Sequence, residues 1–177
     1  PSVRKGIESL ARIPKTTGSA AALVSVVAML FAYLNWGLGL IVGALLARQV
    51  GRLALEEGRP LHYPIVCAAG YTGLAVWHGG FSGSAPLKAT SEEQLTNILG
   101  ADLASQVEPM LLSDTIGSPL NLLVTVCCMV GIPLTLYLLT PKDIANFEAA
   151  PASLVNSVPE DDQSSGEGTF ADRLNQS

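Results

Sequence analysis

A small set of polar side chains stands out inside the long apolar runs of this sequence: Asn35, Thr72, His78, Ser82 and Ser84. None is a permanent charge. An asparagine, hydroxyls and the free amides of broken helices suit a small anion, because the N-terminus of a half-helix supplies partial positive charge without a buried lysine. Thr72 taken alone carries little weight, since a hydroxyl in a membrane helix commonly bonds back to its own carbonyls. His78 reads either as a hydrogen-bonded structural residue or, at the head of a glycine-rich stretch, as a proton carrier. Covalent chemistry finds little support. In Gly79-Gly80-Phe81-Ser82-Gly83 the serine lacks the Gly-x-Ser-x-Gly spacing of a nucleophile elbow, and no carboxylate lies near His78 in the row. Cys67, Cys127 and Cys128 fall in apolar blocks with no CxxC, so they read as small packing residues. No enzyme activity, cofactor, metal or nucleic-acid partner is expected.

The elements that must position those polar groups are membrane elements. Only 14% of the 177 residues are charged and 49% are hydrophobic, and the mean hydropathy is +0.39. A soluble domain usually carries ~25% charged residues. The charge lies outside three apolar blocks, Thr16–Ala47, Pro60–Leu87 and Thr115–Pro141, each long enough to cross or deeply enter a bilayer. The row opens on Pro1 with no signal-peptide pattern, so the chain is expected to be a piece of something larger.

The first block centres on Tyr33-Leu34-Asn35-Trp36-Gly37-Leu38-Gly39. As one helix it would extend ~48 Å, against a hydrocarbon core of ~30 Å. Two half-length arms meeting near the bilayer midplane at Asn35-Trp36-Gly37, the first Ala20–Tyr33 and the second starting with Leu38–Ala47, would fit a hairpin that enters and leaves from one side. Asn35 can bond freed peptide groups and Gly37 permits a tight reversal. Lys15 on one flank and Arg48 and Arg52 on the other favour that reading, because basic flanks stay on the cytoplasmic side. The competing reading is one tilted, kinked helix.

The second block is expected to run as helix through Ile65–Trp77 and then to unwind over His78–Pro86, where three glycines, two serines and a proline cannot sustain it. Either this is a discontinuous membrane helix in a protected cavity, or the helix ends at Trp77 and an external loop follows. Over residues 88–114, Lys88 is outweighed by Glu92, Glu93, Asp102, Glu108 and Asp114, and Ser91-Glu92-Glu93-Gln94 reads as a helix start on the non-cytoplasmic side. Pro119–Thr140 is the clearest membrane helix, with a kink expected at Gly131 and Pro133. The acidic stretch around Glu160-Asp161-Asp162 marks a disordered tail or linker.

Two linked motifs carry a specific likeness. Tyr33-Leu34-Asn35-Trp36-Gly37-Leu38-Gly39-Leu40-Ile41-Val42-Gly43-Ala44, followed by Tyr63-Pro64 and Gly73-Leu74-Ala75-Val76-Trp77-His78-Gly79-Gly80-Phe81-Ser82-Gly83-Ser84-Ala85-Pro86-Leu87, resembles the short-chain fatty acid transporter family. The likeness runs loosely from Val3 to Pro141. It implies an all-α, ion-transporter-like repeat with a re-entrant helical hairpin, a broken transmembrane helix and a further transmembrane helix. It also implies symport of monocarboxylates such as acetoacetate or butyrate with a proton or sodium ion, in the bacterial inner membrane, by a multi-pass protein. The substrate-binding residues it implies are Asn35, Trp36, Gly37, His78, Gly79, Gly80, Ser82, Gly83 and Ser84. His78 departs from the glycine expected there. The layout is then a basic interfacial segment 1–15, a transporter repeat 16–147 and an acidic tail 148–177. The repeat divides into hairpin 16–47, broken helix 60–87, outer loop 88–114 and helix 115–141. A second repeat or a homo-oligomer would complete the site. The reading from a different class is a non-transporting subunit whose Gly39 and Gly43 serve helix packing.

Overall fold

A computed structural model of the chain describes residues 2–141, 143, 147–151 and 153. Most of the expected acidic tail, 154–177, lies outside the described residues. Among those described the fold is all helix: α1 (Ser2–Ala11), α2 (Thr17–Leu34), α3 (Trp36–Glu56), α4 (Tyr63–Tyr71), two 3-10 turns (Thr72–Ala75 and Trp77–Gly79), α5 (Ser84–Ala89), α6 (Glu92–Leu99), α7 (Ala101–Ala104) and α8 (Pro119–Leu139). The chain has an all-α membrane fold, and α2, α3 and α8 are each long and apolar enough to cross a bilayer.

The first block folds as a helical hairpin. Thr16 and Ser19 form a reciprocal capping box that starts α2 (Thr16 Oγ1 accepts from the Ser19 amide at 3.2 Å, Ser19 Oγ from the Thr16 amide at 3.0 Å). Asn35 is the whole turn. It is extended (φ -153°, ψ 126°), its own N–H closes α2 on the Phe31 carbonyl, and its side chain caps α3. The arms are longer than the half-helices the sequence suggests. The 18 residues of α2 and 21 of α3 span ~27 and ~32 Å. The second arm continues through Arg48 and Arg52 because one turn of helix brings Arg52 onto Glu56, at 3.3 Å. It stops at Gly58 in the left-handed region (φ 61°), where the Gly58 amide donates to the Leu55 carbonyl and the Arg59 amide to the Ala54 carbonyl.

Small residues let the backbones approach. Gly39 lies against Ala32 and Gly43 against Ala28, so the arms run antiparallel, and α4 crosses them where Gly70 meets Gly43. Around this contact, Val24, Val27, Val42, Leu46, Val50, Val66 and Ala69 form the core. The helix α1 adds Ile7, Leu10 and Ala11 to it. The most peripheral long helix is α8: 11% of its apolar window is buried, against 56% in α2. Its seam with α2 includes Gly18 under Tyr137. Beyond it, residues 147–150 turn back onto the bundle. Phe147 stacks on His62 at 5.9 Å, the Tyr63 amide donates to the Glu148 carbonyl at 2.8 Å, and Ala150 is buried. Docked chain thus continues past residue 148, where the tail was expected to begin.

Candidate functional site at the hairpin turn

The second block breaks earlier than its composition suggests. Regular helix ends at Tyr71 rather than Trp77, and the chain tightens into the two 3-10 turns. The cause is packing against α2. Gly73 is pressed onto the Ala28 carbonyl and the Ala32 methyl, and Thr72 bonds both the Ala69 carbonyl and buried Ser25, each at 2.8 Å. The back-bond expected of Thr72 is present, and the bridge to α2 is added to it. After Gly79 the chain is extended at Gly80 (φ -101°, ψ -174°) and turns into α5 at Gly83.

This unwound stretch lies directly on the hairpin turn. The Phe81 amide donates to the Tyr33 carbonyl at 2.8 Å, and Ser82 Oγ accepts from the Trp36 amide at 2.9 Å. Asn35 Oδ1 accepts from the Leu38 amide at 3.1 Å. Three N–H groups open the first turn of α3 and cannot be satisfied within it. Ser82 takes one and Asn35 another; the Gly37 N–H has no partner among the described residues. It is a free donor at the positive end of a 21-residue helix.

An aromatic wall borders that donor. The Trp36 and Trp77 rings are 6.3 Å apart and His78 lies 3.8 Å from Trp77, while Tyr33 and Phe81 meet edge to face at 5.6 Å. Amide donors beside indole faces can hold a carboxylate and a short aliphatic chain together. Gly80 fits because its α-carbon sits on the Tyr33 backbone, and Gly83 because it sits on the His78 carbonyl. The structure therefore groups Asn35, Trp36, Gly37, His78, Gly80, Ser82 and Gly83. Gly79 faces α8 instead, and Ser84 begins α5, exposed and outside the bonds that tie the stretch to the hairpin.

Sequence reasoning missed Asn121. One turn into α8, its amide nitrogen donates to the carbonyls of Gly79 (2.9 Å) and Ile116 (2.8 Å). Its oxygen sits where a side chain at position 79 would lie. The available signal was one amide in the run Pro119-Leu120-Asn121-Leu122-Leu123.

A helical hairpin whose turn is capped by an unwound second segment defines the class, a helical membrane protein with a polar break at a hairpin turn. The family model for short chain fatty acid transporters matches residues 1–177, and the chain belongs to that family. Two relatives carry the name short-chain fatty acid transporter. The Haemophilus influenzae protein is 27% identical over 100% of this chain and 39% of its own length. The Escherichia coli protein is 33% identical over 79% of this chain and 29% of its own length. The chain thus spans well under half of each relative. No solved structure matches it.

Proposed function

We propose that this chain forms part of a secondary transporter that carries short-chain carboxylates such as acetoacetate or butyrate across the bacterial inner membrane, coupled to a proton or sodium ion. The observation that carries the proposal is the contact between the two breaks, in which Ser82 caps the first amide of α3 and leaves the Gly37 N–H open. A substrate carboxylate accepts from Gly37 N–H and is oriented by Asn35, while Trp36, Trp77 and His78 line its aliphatic end. The site is completed by further sequence of the full-length protein, a second repeat or another subunit. Arms of this length carry the turn across the ~30 Å core rather than to its midplane, so in this reading both ends of the hairpin lie on one side and residues 77–83 pack on the turn at the other.

The packing-scaffold alternative gains nothing from Gly39 and Gly43, which are consumed in contacts with Ala32, Ala28 and Gly70 of this chain. Uptake of labelled butyrate into vesicles containing the full-length protein, with proton and sodium gradients imposed separately, tests the proposal. Gradient-driven accumulation that Asn35→Ala and Ser82→Ala weaken supports it; uptake indifferent to both substitutions refutes the site.

A further inference from the structure

The opposite end of the bundle, where α2 starts and α3 and α8 end, holds a groove of about 620 Å³ lined by Lys15, Thr16, Thr17, Arg59, Tyr137, Leu138, Thr140 and Phe147 among others. Two cations thus face one cavity. Arg59 is fixed there by the helix stop at Gly58, and its side chain is 17% exposed. Its Nε meets Glu57 Oε2 at 3.1 Å, which leaves Nη1 buried with no hydrogen-bond partner among the described residues. That nitrogen is closed off from the groove, but the guanidinium keeps its charge at the groove wall, and an oxyanion is the group that complements it. Glu57 offsets one positive charge but not the second, which Lys15 carries.

The walls identify which oxyanion. Tyr137 and Leu138 belong to the groove and also to the exposed apolar face of α8, being 51% and 65% exposed. An anion seated between Lys15 and Arg59 would therefore adjoin a hydrocarbon-facing surface at the level where the spanning helices end. That combination fits a phosphate carried on acyl chains. We propose that this groove binds the headgroup of an anionic phospholipid, with the phosphate between Lys15 and Arg59 and an acyl chain along Tyr137 and Leu138. The site lies at the far end of α2 and α3 from the hairpin turn and stands independently of the transport reading.

Native mass spectrometry of the purified full-length protein tests it with phosphatidylglycerol and phosphatidylcholine. Two cations near the surface should give a preference for phosphatidylglycerol on the order of tenfold. Lys15→Gln with Arg59→Gln should remove the preference, and Lys88→Gln, on α5 and outside the groove lining, should keep it. Should the double variant fail to fold, Lys15→Gln alone, at an exposed side chain, should still reduce it several-fold. No preference in the parent protein, or a preference unchanged by these substitutions, overturns the proposal. Displacement of the lipid by inorganic phosphate at about 10 mM, a level a chain-anchored headgroup should resist, assigns the groove to a free anion and overturns the lipid source.

Discussion

Replacing Gly80 by alanine puts a methyl group onto the backbone of Tyr33. The new carbon would lie 2.9 Å from both the carbonyl carbon and the α-carbon of that residue, and nearer still to its oxygen. The oxygen, as the nearest atom, sets the displacement: an ordinary carbon–oxygen contact needs ~3.2 Å, so the two stretches of backbone must separate by roughly 1 Å. The Phe81–Tyr33 hydrogen bond, 2.8 Å long, would then stretch to about 3.8 Å and be lost. The loss is ~1 kcal/mol for the bond and ~1–3 kcal/mol for overpacking, about 2–4 kcal/mol together. Gly131→Ala is the control. Nothing lies within 4 Å of its added carbon, and mid-helix alanine gains up to ~1 kcal/mol over glycine. Thermal unfolding of the full-length protein in detergent should place Gly80→Ala below the parent and Gly131→Ala at or above it. Equal melting for Gly80→Ala and the parent would refute the claim that the unwound stretch is seated on the hairpin turn.

Asn35→Ala removes one cap, worth ~1 kcal/mol of stability, yet should reduce butyrate affinity about tenfold if the amide meets substrate. Asn35→Asp should retain the cap and abolish uptake by repelling the carboxylate; paired measurements of Tm and KM separate these effects. Asn121→Ala strips partners from two carbonyls at ~1 kcal/mol or more each, and proteolysis between residues 79 and 118 should accelerate. Cysteines at Lys15 and Glu56 should label from the same side of the membrane, and labelling from opposite sides would exclude the hairpin.

The hairpin turn was legible because asparagine and glycine in an uncharged run have few other uses at membrane depth. The reach of α3 was not, since the uncharged run ends at Ala47, whereas Arg52 continues the helix by pairing with Glu56 one turn on. The early end of α4 was hidden for a different reason. Residues 72–77 are compatible with helix, and it is contact with Ala28 and Ala32 that tightens them. Asn121 was obscured by the apolar run around it, and its role depends on a carbonyl 42 positions away.

The separation of contacts along the chain also sets an order of assembly. The arms α2 and α3 meet through residues close in sequence, Ala32 with Gly39 and Ala28 with Gly43, so their loop is short and closes at low entropic cost. The broken segment can then settle into a finished groove. Asn121 comes after it, and the bond from the Glu148 amide to His62 Nδ1, spanning 86 positions, comes last. A nascent chain halted after α3 should already hold the hairpin in the membrane, with the Trp36 N–H uncapped until Ser82 emerges.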